Sequence, residues 1–130
     1  LVGCEIRGNK GPFTWSEFGG KREIEDIDPE DTAAREFSEE TIGMFGADHL
    51  FINKKTSFED IKKSKEMVAK ILRKREGVKT MYVKAGRYHF FCCKLPFIDE
   101  NLMNDVVEKM RKSDYHFPGN EKVKYHWISG

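Results

Sequence analysis

The segment from Asp28 to Gly43 constrains this chain more than any other, because its start, its stop and its charged face can all be read from residue type. Asp28 is a good N-cap, Pro29 suits the first helical position, and Asp31 falls three residues after the cap. Asp28, Glu30 and Asp31 also favour the positive end of a helix dipole. Gly43 supplies a residue that tolerates the left-handed backbone of a helix stop. The spacing predicts a helix over Glu30 to Ile42.

Other elements follow from periodicity and turn residues. Leu1 to Arg7 and Phe13 to Phe18 read as strands around the turn cluster Gly8-Asn9-Lys10-Gly11-Pro12. Phe58 to Arg75 reads as a helix with Phe58, Ile61, Val68, Ile71 and Leu72 on one face, closed by Gly77. Thr80 to Val83 and Tyr88 to Leu95 are predicted strands around Lys84-Ala85-Gly86-Arg87. Glu100 to Lys112 is a predicted helix with Leu102, Val106 and Met110 as its apolar stripe, and Lys122 to Ile128 a last strand. Strands and helices mixed without regular alternation predict an α+β fold with a mixed sheet. The chain of 130 residues has no internal repeat or Pro-rich linker, so it is expected to form a single domain over 1–130. With ten Phe and two Trp it can build a core without disulfides.

Several function classes drop out. No run of about 18 uncharged apolar residues is present, so no membrane span is expected. Leu1-Val2-Gly3-Cys4 is quickly followed by Glu5 and Arg7, which is unlike a secretory signal. Three cysteines cannot all pair with each other, and Cys92 and Cys93 are adjacent, so reduced thiols in an intracellular compartment, cytoplasmic or nuclear, are expected. His49, His89, His116 and His126 lack zinc spacing. Phe90, Phe91, Trp15 and Trp127 are expected in the core rather than stacked on a base.

The net charge of +1 conceals a segregation. Residues 16–48 carry eleven acidic against three basic side chains, a net of −8, and residues 54–87 carry twelve basic against four acidic, a net of +8. Within the acidic block, Glu36 and Glu40 are one helical turn apart, with Glu39 beside them. Asp31, Arg35 and Glu39 form a second row, from which Arg35 can brace Glu39. Acidic runs on helices are most often solvated faces. Here Gly19-Gly20 ends a strand and leads through Lys21 to Ile27 into the capped helix, placing a backbone carbonyl near three carboxylates. Such oxygen donors suit a hard divalent cation and a phosphate substrate.

The run Gly20 to Met44 resembles the Nudix box. That pattern is Gly, five residues, Glu, seven residues, Arg-Glu, an aliphatic or aromatic residue, any residue, Glu-Glu, any residue, Gly and an aliphatic residue. Gly20, Arg35, Glu36, Phe37, Glu39 and Glu40 match in order, and Gly43 and Met44 follow one residue later than in the pattern, because Thr41 and Ile42 stand where it has a single residue. The preceding Trp15-Ser16-Glu17-Phe18-Gly19-Gly20-Lys21, and later Tyr88-His89-Phe90-Phe91 and Val123-Lys124-Tyr125-His126-Trp127-Ile128, are similar to the segments that surround the box in that family. A further departure lies upstream: fourteen residues separate Gly20 from Arg35 where the pattern has thirteen. Counting back from Arg35 puts Ile27 at the pattern's first Glu, and counting forward from Gly20 puts Asp26 there. Asp26 or Glu25 substitutes for that Glu, or its role is lost.

The resemblance implies an α/β/α sandwich and a divalent-metal-dependent pyrophosphohydrolase cleaving a nucleoside diphosphate linked to another moiety. It implies magnesium or manganese, with Glu36, Glu40 and Glu39 as metal ligands, Gly20 as carbonyl donor, Glu39 also as water-activating base and Arg35 as structural support. Glu121, ahead of the last strand, is a second candidate base. Partners implied are a nucleotide-type or other pyrophosphate substrate, with no membrane, and a homodimer is compatible. The basic helix, an insertion at about 58–76, carries Lys62, Lys63, Lys65, Lys70, Arg73, Lys74 and Arg75. It leaves open an alternative: a Nudix-fold binding module for RNA or a protein partner.

Overall fold

The computed structural model describes residues 1–5, 14–16, 18–83, 88–112 and 122–127, and of residues 2–5, 14–16, 83 and 88 the backbone alone. The described chain is α+β. In order, β1 (Val2–Glu5) and β2 (Thr14–Ser16) precede α1 (Pro29–Glu40) and a single 3-10 turn (Met44–Gly46). Then come α2 (Leu50–Asn53), α3 (Phe58–Lys74), β3 (Lys79–Val83), β4 (Tyr88–Cys92), α4 (Glu100–Lys112) and β5 (Lys122–His126).

Local signals explain where the helices begin. Asp28 has extended backbone and its carboxylate accepts from the Asp31 N–H at 2.7 Å, with Pro29 at the first helical position. Ser57 caps α3 through a capping box: its hydroxyl accepts from the Asp60 N–H while Asp60 accepts from the Ser57 N–H at 2.9 Å. The end of α1 differs from expectation. The helix stops at Glu40, two residues early, and both Ile42 (φ 48°) and Gly43 (φ 74°) adopt left-handed backbone. A β-branched residue resists that conformation. Ile42 holds it because its side chain, 1% exposed, is sunk in the core. Gly43 is required twice over, since a Cβ there would also lie 2.5 Å from the Ile61 nitrogen in the first turn of α3.

β1 is the centre of a three-stranded antiparallel sheet in the order β2-β1-β5, with a register shift between Cys4 and Glu5 against β5. β3 and β4 form a separate antiparallel pair, with Thr80 opposite Phe91 and Tyr82 opposite His89. The expectation was one mixed sheet. Every pairing among the described residues is antiparallel, in two pieces, and the neighbouring strands β3 and β4 are joined by a connection short enough for a hairpin. β4 ends at Cys92 rather than Leu95. The predicted turns Gly8–Pro12 and Lys84–Arg87 lie outside the described residues, as does Ile128.

Two apolar clusters hold the helices. One gathers Ile42, Met44 and Leu50 with Met103, Val106, Val107 and Met110 of α4 and Tyr125 of β5. The other joins Ala34 of α1 to Val68, Ala69 and Leu72 of α3, with Phe37, Phe91 and Leu95 at its border. Small residues let α1 and α3 approach, and where they meet the buried Ser38 hydroxyl donates to Ser64 at 2.9 Å. Two expected core residues sit elsewhere. Phe58, at the first position of α3, is 60% exposed because the packed face starts a turn later. Phe90 is exposed as well, whereas Phe91 beside it is half-buried, since successive residues of a strand face opposite ways. Leu102 is half-buried and packs against the first cluster, where Met103 and Val107 complete the stripe of α4. No described helix is long and apolar enough to cross a membrane.

Candidate metal and phosphate site

The site is built where the loop from Phe18 to Ile27 folds back onto the last turns of α1. The link is Arg35, 9% exposed. Its Nε and Nη2 donate to the Asp26 carboxylate at 3.1 Å each, and Nη2 also donates to the Lys21 carbonyl at 2.8 Å. Its Nη1 lies 2.8 Å from Glu36 Oε1, 3.4 Å from Glu39 Oε2 and 3.4 Å from Glu23 Oε1. One guanidinium, with its five donors in a rigid fork, thus ties the loop to the helix.

In this arrangement Asp26, and not Ile27, meets Arg35. Asp26 is 1% exposed and bound to Arg35, whereas Ile27 is 73% exposed and points away from the site. Just before Asp26 lies a turn at Ile24-Glu25, in which the Asp26 N–H donates to the Glu23 carbonyl at 3.0 Å, the Glu23 N–H to Asp26 Oδ2 at 2.8 Å, and Ile24 is left 97% exposed. Burial by itself would raise the Asp26 carboxyl, but Arg35, the Glu23 N–H and the Thr32 hydroxyl outweigh it and hold it at about 2. Arg35 is likewise pushed up by Asp26 and Glu36 against the opposing effect of burial.

The predicted ligands are placed as follows. Glu36 is half-buried beneath the loop: a Cβ added at Gly20 would lie 2.3 Å from its carboxylate carbon and from Oε1. Glycine at position 20 therefore leaves a notch that the Glu36 carboxylate fills. Glu39 is also half-buried, and its carboxyl is raised, first by burial and then by Glu36 and Glu23, with Arg35 pulling the other way. Glu40 is buried; its Oε1 accepts from the Gly19 N–H at 3.0 Å and its Oε2 lies 3.8 Å from Lys122 Nζ. Glu121 lies outside the described residues, as do Glu17 and His116 and the side chain of Trp15.

In kind, this donor set fits a hard divalent ion: three carboxylates and the backbone of a Gly-Gly loop, with the Glu36 carboxylate seated where a Cβ at Gly20 would lie. In arrangement, the carboxylates are held by internal cations. Arg35 engages Glu36 and Glu39, Lys122 engages Glu40, and among the described residues no three acidic, His or Cys side chains converge as an ion cage.

Residues that sequence reasoning passed over complete the site. Lys122 is 2% exposed, with Nζ 5.6 Å from the centre of the Phe18 ring. Phe18 stacks on Tyr125 at 6.2 Å and meets Phe37 edge-on at 5.0 Å. The Tyr125 hydroxyl donates to the Glu40 carbonyl at 2.5 Å, capping an orphan acceptor at the end of α1. Asn104 of α4 fixes β5 in turn, accepting from the Tyr125 N–H at 2.7 Å. An amphipathic reading of β5 offers no signal for a buried lysine.

The basic face of α3 borders the start of α1. There an open groove of about 580 Å³ is lined by Lys62, Lys65, Lys70, Arg73 and Lys74 together with Asp31 and Glu66. Arg73 Nη2 is already paired, at 3.1 Å to both Asp28 and Asp31. Elsewhere, His126 pairs with Glu100, and His89 packs beside Tyr82 at 4.6 Å. Cys92 is exposed and Cys93 half-buried, with the Cys93 thiol pushed up by burial.

No protein-family model, curated protein or solved structure matches this chain.

Proposed function

We propose that this chain is a divalent-metal-dependent pyrophosphohydrolase of Nudix type, with an α/β/α arrangement, cleaving a nucleoside diphosphate linked to another moiety. The observation that carries the reading is the seat of Glu36 under Gly20, where a side chain of any size would overlap the carboxylate. It brings the loop backbone and the carboxylate helix to one point, as a metal-phosphate site needs. Glu36, Glu39, Glu40 and the Gly20 carbonyl are the residues to hold magnesium or manganese. Bound there, the ion supplies phosphate charge neutralisation and a more acidic attacking water.

The chain's own residues supply the rest. Arg35 and Asp26 keep the Gly-Gly loop against α1, so the donors share one frame. Glu39, whose carboxyl is raised by burial within this acidic group, is the residue this reading assigns as base for the attacking water. The remodelled loop is compatible with activity, because Asp26 takes up the contact with Arg35 that Ile27 could not make.

The decisive experiment is a hydrolysis screen over a panel of nucleotide-linked pyrophosphates with magnesium, comparing the parent with Glu40→Gln. Phosphate or nucleotide release that falls at least a hundredfold in the variant supports the reading. Unchanged turnover removes Glu40 from the metal set. A second reading, a Nudix-fold module binding RNA, is favoured by the lysine-lined groove on α3. RNA binding that weakens steeply with salt, in a protein whose melting temperature ignores magnesium, would select it.

A further inference from the structure

The buried lysine against Glu40 is not part of the Nudix-type reading, and it changes what a cation would meet at the site. Lys122 Nζ sits 3.8 Å from Glu40 Oε2 with 2% and 9% of the two side chains exposed. The same ammonium lies over the Phe18 ring, 5.6 Å from its centre. A charge pair this dry interacts far more strongly than one in water, and neither member can lose the other cheaply. A divalent cation on Glu40 would place two further positive charges beside that ammonium.

We propose that Lys122 is an internal counter-ion of Glu40 that competes with the divalent cation, so that metal loading and the Lys122–Glu40 pair exclude one another. The inference rests on Glu40 being a metal ligand. The same carboxylate cannot be satisfied by both partners without strong repulsion between them. To load, the protein must draw Lys122 back toward Phe18 or swing the Glu40 carboxylate away from it. The Gly19 N–H, which holds the other oxygen at 3.0 Å, keeps Glu40 pointed at the loop. Lys122 therefore sets how tightly the site takes metal, and the pair fills the electrostatic role of the ion in its absence.

The test uses Lys122→Met, which keeps the length and apolar stem, and Lys122→Gln. Manganese binding is followed by calorimetry, and thermal unfolding is compared in chelator and in magnesium. Manganese affinity is expected to tighten at least tenfold in both variants. Their melting temperatures should fall below the parent's in chelator and rise more than the parent's on adding magnesium. A variant unfolded in chelator that folds when manganese is added supports the same conclusion. Affinity equal to or weaker than the parent's overturns it, as does failure of both variants to fold even with manganese. Glu40→Gln separates the two levels of the argument. If it abolishes manganese binding in the parent while Lys122→Met leaves affinity unchanged, the metal site stands and the competition falls. If no variant or parent binds manganese, the metal reading itself falls.

Discussion

Asp26 and Arg35, nine positions apart, meet in a buried ion pair in which the Nε and Nη2 of one guanidinium both reach one carboxylate. Cutting it leaves Arg35 partly unpaired in a site it shares with Glu36 and Glu39. Asp26→Ala is expected to destabilise the fold by about 3 kcal/mol, the lower end for breaking a buried pair, because Arg35 keeps other partners. Chemical denaturation of the variant and the parent measures it. A loss under about 1 kcal/mol would mean that the loop is held by other contacts.

The same carboxyl sets an acid limit. Its folded value of about 2 lies below the ordinary aspartate value near 3.9, so the folded state binds its proton less readily than the unfolded chain. The sign follows: the stabilisation is complete above about pH 4 and is lost as pH falls toward 2, amounting to about 2 kcal/mol. Stability curves between pH 5 and 2 should therefore be flatter for Asp26→Asn than for the parent. Parallel curves would remove Asp26 as the titrating group.

Two glycine substitutions should part in their effects. At Gly20 the added Cβ meets only the flexible end of Glu36, which can swing aside, so Gly20→Ala should change stability by less than about 0.5 kcal/mol. It should instead weaken manganese binding, because the displaced group is a proposed ligand. At Gly43 the Cβ meets the Ile61 backbone at 2.5 Å and the residue holds φ 74°, so Gly43→Ala should cost about 2 kcal/mol or more. Denaturation and calorimetry on both variants check the contrast. Equal stability losses would contradict it.

Tyr125→Phe removes the hydroxyl that caps the Glu40 carbonyl while leaving the ring on Phe18. An unsatisfied buried acceptor predicts a loss of about 1–2 kcal/mol. Because the same carbonyl ends α1, hydrogen exchange should speed first at the amides of Thr41 and Ile42. Uniform acceleration over the whole chain would instead mark a global loss of stability.

The helices were legible because their signals are local. Asp28 and Pro29 mark the start of α1 through contacts within four residues, and the spacing of Val68 and Leu72 marks the buried side of α3; the Ser57–Asp60 box that caps α3 is equally local but was not read from the sequence. The charge of the candidate site was legible for the same reason, since Arg35, Glu36, Glu39 and Glu40 share the last turns of one helix. The end of α1 was misread by two residues: a buried Ile42 was forced into left-handed backbone by packing that no local rule contains.

By itself the sequence determined the α+β class, the start of each long helix and the grouping of four charged residues on α1, all from short-range preferences. Tertiary structure decided which loop residue answers Arg35, choosing Asp26 over Ile27 because a buried guanidinium demands a carboxylate, while Ile27 is left exposed. It also brought Lys122 onto Glu40 and Tyr125 onto the Glu40 carbonyl. Those partners lie more than eighty positions away along the chain, where only the docking of β5 beside β1 and α4 could deliver them.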